Sequence, residues 1–197
     1  DELIPSGETS SYRSNPMKLA QFTLSRKDPQ YVSRAKAVQE AETRRVNGEN
    51  PQLPETVLEA IRTVKADFNP AETEIGSTIF AKKPGDGSAR EQAASCQRVL
   101  GGLANIANEY ATKRYRSNLI NWGMLPFIFD GEDVPFENDD YVFVPGIRSA
   151  VEKRHSAVKA YLVHNGEARE ISLQLSDMTD DERRIVMDGC LINYYKK

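Results

Sequence analysis

The residues of this sequence with the clearest capacity for chemistry lie between positions 85 and 91. In order they are Gly85, Asp86, Gly87, Ser88, Ala89, Arg90 and Glu91. The two glycines let the backbone turn tightly and approach a ligand without interference from a Cβ atom. We predict that Ser88 is the N-cap of a following helix, whose first-turn N–H groups attract an anion. The Arg90 guanidinium adds donors suited to a carboxylate or a phosphate. These residues therefore predict an anion site that contains a hydroxyl group.

Two common phosphate-binding motifs do not fit this segment. No Gly-Lys-Ser/Thr ending follows the glycines, and Gln92 stands where the dinucleotide motif requires its third glycine. A strand-to-helix turn with a capping serine explains the same residues without any ligand. In that interpretation Glu91 reaches back as the acidic partner of the Ser88 cap.

The flanking segments predict the elements that must position this turn. Hydrophobic periodicity and turn residues predict strands at 75–81, 103–107, 125–129, 141–144, 158–164 and 169–175, and helices at 16–45 (with a break near Pro29), 54–68, 88–100, 112–122 and from Thr179 to about Gly189. Asn165-Gly166 predicts a hairpin turn, and Thr179 with Glu182 predicts a capping box. Strands alternating with helices favour an α/β fold, in which ligands gather beyond the carboxyl ends of strands.

The composition of the chain excludes several classes of protein. Its 197 residues fit one domain, and the net charge of −3 does not favour a nucleic-acid-binding surface. Its two cysteines, Cys96 and Cys190, lie far apart, so we expect reduced thiols in a cytoplasmic protein rather than a disulfide or a metal site. No apolar run approaches the length of a membrane span.

Three segments resemble the aconitase superfamily. Residues 85–94 resemble its Gly-Glu-Gly-Ser-Ser-Arg-Glu-His-Ala-Ala segment, residues 115–126 resemble a segment that ends in Gly-Leu/Ile-Leu-Pro, and residues 184–189 resemble the closing helix and glycine. Upstream, Gly7 and Arg13 fit an aconitase stretch with the same spacing, and Asp1 fits its aspartate. The resemblance implies the C-terminal swivel domain, an α/β fold with three β/β/α layers. We predict this domain over residues 73–197, with an N-terminal loop and an additional helical segment packed on it over residues 1–72.

The resemblance also implies roles for individual residues. Ser88 corresponds to the catalytic base, and Arg90 and Arg13 correspond to arginines that bind substrate carboxylates. Ala89 and Asp1 are further predicted substrate-binding positions. Ala89 replaces a second serine of the family motif, which leaves its backbone N–H as the donor, and Glu2 stands where aconitases carry a histidine.

The function implied is that of an aconitase-like hydro-lyase that dehydrates and rehydrates a small hydroxy-polycarboxylate. The family's [4Fe–4S] cluster needs three thiolates, so we expect it in N-terminal cluster-binding domains and expect this chain alone to be inactive. One alternative is the small subunit of an isopropylmalate or homoaconitate isomerase, completed by a large subunit. The other alternative is a noncatalytic binding domain. None of these predictions involves a nucleic acid or a membrane.

Overall fold

Six strands form one mixed sheet in the computed structural model, which describes residues 2–7, 9–175 and 177–196. The strands in chain order are β1 (Ser77–Ala81), β2 (Gly102–Ala107), β3 (Leu125–Ile128), β4 (Tyr141–Phe143), β5 (Ala157–His164) and β6 (Glu167–Gln174). Their order across the sheet is β1-β2-β3-β6-β5-β4. The predicted strands are confirmed, with ends that differ by one or two residues.

The sheet consists of two three-stranded halves with different pairing. Strands β1, β2 and β3 are parallel, whereas β4, β5 and β6 are antiparallel. The halves meet between β3 and β6 at the single pair Ile128 and Gln174. Pro126 lies near the start of β3, before this pair, so its missing N–H removes no bond to β6.

Eight α-helices accompany the sheet in the described residues. They are α1 (Pro16–Ala20), α2 (Tyr31–Val46), α3 (Glu55–Val64), α4 (Arg90–Val99), α5 (Lys113–Asn121), α6 (Ile147–Glu152), α7 (Asp180–Met187) and α8 (Leu191–Tyr195). The sequence pattern did not indicate α6 and α8, which have only six and five residues. A fold of mixed α/β class is confirmed.

Local turn chemistry fixes several ends of these elements. Asn165 and Gly166 adopt φ angles of 48° and 79°, as a tight hairpin turn between β5 and β6 requires. At the start of α7, Thr179 and Glu182 form the predicted capping box. Gly123 ends α5 with a φ angle of 77°, and its N–H donates to the Ile120 carbonyl at 2.8 Å.

The N-terminal segment shares a hydrophobic core with the rest of the chain. Ile4, Leu19 and Tyr31 are buried in one cluster with Ala94 of α4 and Leu119 of α5. A second cluster lies between the sheet and α6. Residues of the N-terminal segment between Ile4 and Ala35 thus pack on the remainder of the chain, and the division into two parts at position 72 stays a prediction.

None of the helices in the described part of the chain is both long enough and apolar enough to cross a membrane.

Candidate functional site

The glycine turn joins the carboxyl end of β1 to the amino end of α4, as predicted, but the helix begins later than predicted. Its first helical residue is Arg90 and its N-cap is Ala89, so the prediction that Ser88 caps the helix is wrong. Ala89 has no side-chain oxygen, and no side chain caps the helix among the described residues. The first-turn N–H groups therefore remain available to an anion, as uncapped helix ends are.

Glu91 does not reach back towards Ser88 either. Its carboxylate accepts a hydrogen bond from Trp122 Nε1 at 3.1 Å, which ties α4 to the end of α5. The prediction of a capping pair between Glu91 and Ser88 is wrong, because the cap position has shifted by one residue to Ala89.

The start of the glycine turn is fixed by the segment that leads into α5. Ala111 N–H donates to the Pro84 carbonyl at 2.9 Å, and Thr112 Oγ1 donates to the Gly85 carbonyl at 3.0 Å. Thr112 Oγ1 also accepts from the Tyr115 N–H at 3.1 Å and so caps α5. One hydroxyl thus holds the turn and begins the neighbouring helix.

A cleft of about 620 Å³ lies between this turn and the N-terminal segment. One wall comprises the end of β1, the turn at positions 82–87, Ala89 and Arg90. The opposite wall comprises residues 2–4, Leu24 and the first turn of α2, with Tyr31 and Arg34. This volume lies in the range of pockets that bind small molecules.

Most basic groups of the cleft have acidic partners. Lys27 pairs with Glu2, Arg34 pairs with Asp28, and Lys83 Nζ lies 3.3 Å from Glu109 Oε1.

The half-buried guanidinium of Arg90 differs from these groups. No carboxylate pairs with it among residues 2–7, 9–175 and 177–196. Since α4 begins at Arg90, its positive charge and the free helix N–H groups lie together. Both favour a bound anion.

The predicted site residues fall into three groups. Arg90 and Ala89 line the cleft, whereas Ser88 is exposed between two residues that line it. Arg13 is exposed on the loop before α1 and does not line the cleft. Asp1 lies outside the described residues, so its role stays a prediction.

The sequence patterns did not indicate Tyr31 and Arg34 as part of a site. Tyr31 is buried, and burial raises the pKa of its phenol to about 12. The hydroxyl groups of Tyr31 and Ser77 lie side by side. Neither oxygen forms a hydrogen bond of good geometry with a described residue. These two side chains reach the cleft because α2 packs on β1. No local sequence pattern predicts that packing.

Asn138 completes the rim of the cleft and lies on the loop between β3 and β4. The end of this loop is fixed by His164, whose Nδ1 lies 2.6 Å from Asp140 Oδ1. The Nε2 atom of His164 lies 3.8 Å from the carboxylate of Glu137. The hydrogen bond to Asp140 raises the pKa of His164 above its usual 6.5, and both carboxylates add to this effect.

We predict that this contact makes folding stability depend on pH. A histidine with a raised pKa in the folded state contributes stability that is fully present below about pH 6.5 and is lost as pH rises through the folded pKa. The difference in melting temperature between the wild type and His164→Gln should therefore shrink between pH 6 and 9. His155→Gln, which changes the exposed second histidine, is the control. A difference that stays constant over this range contradicts the prediction.

The described residues contain no group of three or more His, Cys, Asp or Glu side chains placed to hold a metal ion. Both cysteines are free, and burial raises the pKa of the Cys96 thiol to about 11. Such a thiol remains protonated and is a poor metal ligand at neutral pH. The described residues therefore do not fit an iron–sulfur cluster.

Comparison with known proteins shows to which family the chain belongs. The sequence model of the aconitase C-terminal domain matches residues 26–132, which is more than half of the chain. The chain belongs to the aconitase C-terminal domain family. The match begins within the segment that we predicted to be additional, so it includes α2 and α3 as well as the glycine turn.

Curated relatives of this aconitase C-terminal domain are much longer proteins. Aconitate hydratase A of Rickettsia bellii is 29% identical over 148 residues, and that of Rickettsia felis is 30% identical over 146 residues. These alignments cover 72% and 71% of this chain. The chain spans 16% of the length of each relative.

A solved structure shows the same fold over the whole chain. It is that of 3-isopropylmalate dehydratase (LeuD) from Methanocaldococcus jannaschii, with a TM-score of 0.60 and 21% sequence identity. The likeness covers 100% of this chain and 84% of the other. It confirms the fold class of the aconitase swivel domain.

Proposed function

We propose that this chain is the C-terminal domain of a hydro-lyase that dehydrates and rehydrates a small hydroxy-polycarboxylate of the citrate and isocitrate type. The observation that carries this proposal is the uncapped start of α4, where Arg90 faces the cleft without a carboxylate partner among the described residues. Ser88 lies two residues before this point. The arrangement supplies a proton acceptor beside a site for a carboxylate.

Ser88 takes the proton in this proposal. The proton leaves the carbon next to a substrate carboxylate, while the hydroxyl group leaves the neighbouring carbon and a carbon–carbon double bond forms. Negative charge builds on that carboxylate during proton removal. The helix N–H groups and Arg90 stabilise this charge, and the same field lowers the cost of an ionised serine hydroxyl. In the reverse direction Ser88 returns the proton.

The remaining chemistry requires the rest of the protein. The family's [4Fe–4S] cluster would polarise the departing hydroxyl group, and the described residues of this chain offer no set of ligands for it. We therefore propose N-terminal cluster-binding domains, or a separate large subunit, as the partner. On this view the isolated chain has no turnover, and the complete enzyme is cytoplasmic. Arg13 and Asp1 are proposed to contact substrate only in the assembled enzyme, since Arg13 does not line the cleft.

The role of Ser88 predicts a large loss of activity in Ser88→Ala of the full-length enzyme. The value of kcat should fall about 10³-fold while KM changes little, because a general base contributes to the transition state rather than to binding. The assay should cover citrate, homocitrate, isopropylmalate and methylcitrate. Ser95→Ala on α4 is the matched control, because its hydroxyl donates to the helix carbonyl of Gln92 and Ser95 does not line the cleft. A normal kcat for Ser88→Ala would refute the role of base.

Arg90→Gln tests the carboxylate-binding role separately. It should raise KM about tenfold or more through loss of a charge-assisted hydrogen bond. An unchanged KM would mean that Arg90 does not bind substrate.

A further inference from the structure

Three buried polar side chains form a connected group beneath the glycine turn. They are Gln97 on α4, Asn105 on β2 and Tyr115 on α5, each no more than 1% exposed. They come from three different elements of the parallel half of the structure. None of them lines the cleft.

Their hydrogen bonds close into a ring with one direction of donation. Gln97 Nε2 donates to Tyr115 OH at 2.9 Å, Tyr115 OH donates to Asn105 Oδ1 at 2.6 Å, and Asn105 Nδ2 donates to Gln97 Oε1 at 2.6 Å. Burial raises the pKa of Tyr115, so its phenol stays protonated and can donate. In a buried setting, the hydrogen bonds of such a closed chain strengthen one another. The ring therefore fixes the relative positions of α4, β2 and α5.

One member of this ring, Tyr115, contacts the glycine turn. Gly85 packs directly on the Tyr115 side chain, since a Cβ at Gly85 would lie 2.5 Å from three of its carbon atoms. A second member, Gln97, lies on α4, the helix that begins at Arg90. Residues 86–89 span the gap between these two fixed points. The position of Ser88 relative to Arg90 therefore depends on where Tyr115 and Gln97 lie.

We propose that Tyr115, Gln97 and Asn105 are positioning residues that set Ser88 at its working distance from the start of α4. This proposal rests on the function proposed above for Ser88. The hydrogen bonds of the ring fix the Tyr115 side chain, and Gly85 of the turn packs against that side chain. The ring thus acts on the position of Ser88 in two ways: through Gly85, which packs on Tyr115, and through α4, which carries Gln97.

Tyr115→Phe in the full-length protein tests this proposal with two readouts. The variant keeps the aromatic ring against Gly85 but leaves Asn105 Oδ1 and Gln97 Nε2 without their phenol partner. We expect kcat to fall ten- to about a hundredfold with KM within about twofold, because small displacements of reacting groups have effects of this size. The N–H groups of Ala93 and Ala111, which donate to the carbonyls of Ala89 and Pro84 at the two ends of the turn, should exchange with solvent faster by about tenfold or more.

Tyr110→Phe is the matched control. Tyr110 is partly buried, and its hydroxyl lies 2.9 Å from the backbone carbonyl of Phe127 and 3.3 Å from that of Asn105. Its removal leaves the three side-chain hydrogen bonds of the ring in place, so we expect kcat and the exchange of the Ala93 and Ala111 amides to stay near wild type. Gln97→Met provides a second test, since it keeps the side-chain volume and removes the amide.

The outcomes separate this proposal from the proposed function. If Tyr115→Phe and Gln97→Met change neither the exchange of the Ala93 and Ala111 amides nor kcat, the proposal is refuted. If both phenol variants lower stability and kcat equally, the ring is only structural and the proposal is again refuted. If the protein has no hydro-lyase activity but exchange accelerates only in Tyr115→Phe and Gln97→Met, the ring positions the turn and the proposed function has failed.

Discussion

Replacing Gly123 by alanine should destabilise the fold by about 3 kcal/mol or more, which is a large fraction of the stability of a domain. The new Cβ atom would lie 1.8 Å from the backbone carbonyl oxygen of Gly189. That carbonyl follows α7, so the ends of α5 and α7 must move apart to admit the methyl group. Neither backbone can rotate away as a flexible side chain could.

Two contributions to this loss can be separated by a control. Gly123 has a φ angle of 77°, and a left-handed backbone alone costs alanine about 1 kcal/mol. Gly48 has nearly the same φ angle, 78°, but open space around it. Gly48→Ala should therefore show the backbone cost alone. Chemical denaturation of both variants measures the difference, and equal losses would contradict a contact between the helix ends.

Backbone chemistry explains why the helix predicted over residues 112–122 ends at this position. A glycine one residue after a helix C-cap permits two bonds that close the helix, here Gly123 N–H to the Ile120 carbonyl and Met124 N–H to the Leu119 carbonyl. The hairpin at Asn165 and the capping box at Thr179 follow from equally local rules. In each case the residues that decide the structure are neighbours in the chain, so the sequence alone is sufficient.

The start of α4 shows where local rules fail. Ser88 is the better N-cap by side-chain chemistry, but the helix begins after Ala89. The preceding turn is held from outside, because Thr112 and Tyr115 fix Gly85. Contacts with a segment more than 20 residues away thus override the preference of one serine.

The far wall of the cleft could not be predicted for the same reason. Tyr31 and Arg34 face the turn only because α2 packs against β1, and their spacing on a helix is ordinary for core and surface residues. Nor does a sequence pattern reveal that two sheet halves join through one residue pair, at Ile128 and Gln174. The family resemblance predicted the roles of Ser88 and Arg90, and the structure describes the residues that surround them.

Gly85→Ala should reduce both the stability of the fold and the activity of the enzyme, by comparable free energies. The Cβ atom would lie 2.5 Å from Cβ, Cγ and Cδ1 of Tyr115, and the φ angle of 98° is unfavourable for alanine. The Tyr115 side chain cannot move aside without breaking its hydrogen bonds to Gln97 and Asn105. We therefore expect the turn to lift away from the ring, with a loss of about 3 kcal/mol in stability and about a hundredfold in kcat.

A double-mutant cycle identifies Tyr115 as the cause. Tyr115→Ala is itself destabilising, but it removes the atoms that the new methyl group would meet. The combined loss in Gly85→Ala/Tyr115→Ala should therefore be smaller than the sum of the two single losses by about 1 kcal/mol or more. The same cycle with Gly48→Ala in place of Gly85→Ala should be additive, because Gly48 has open space around it. Additivity in both cycles would show that the turn does not rest on Tyr115, and the expected displacement of Ser88 would then have no cause.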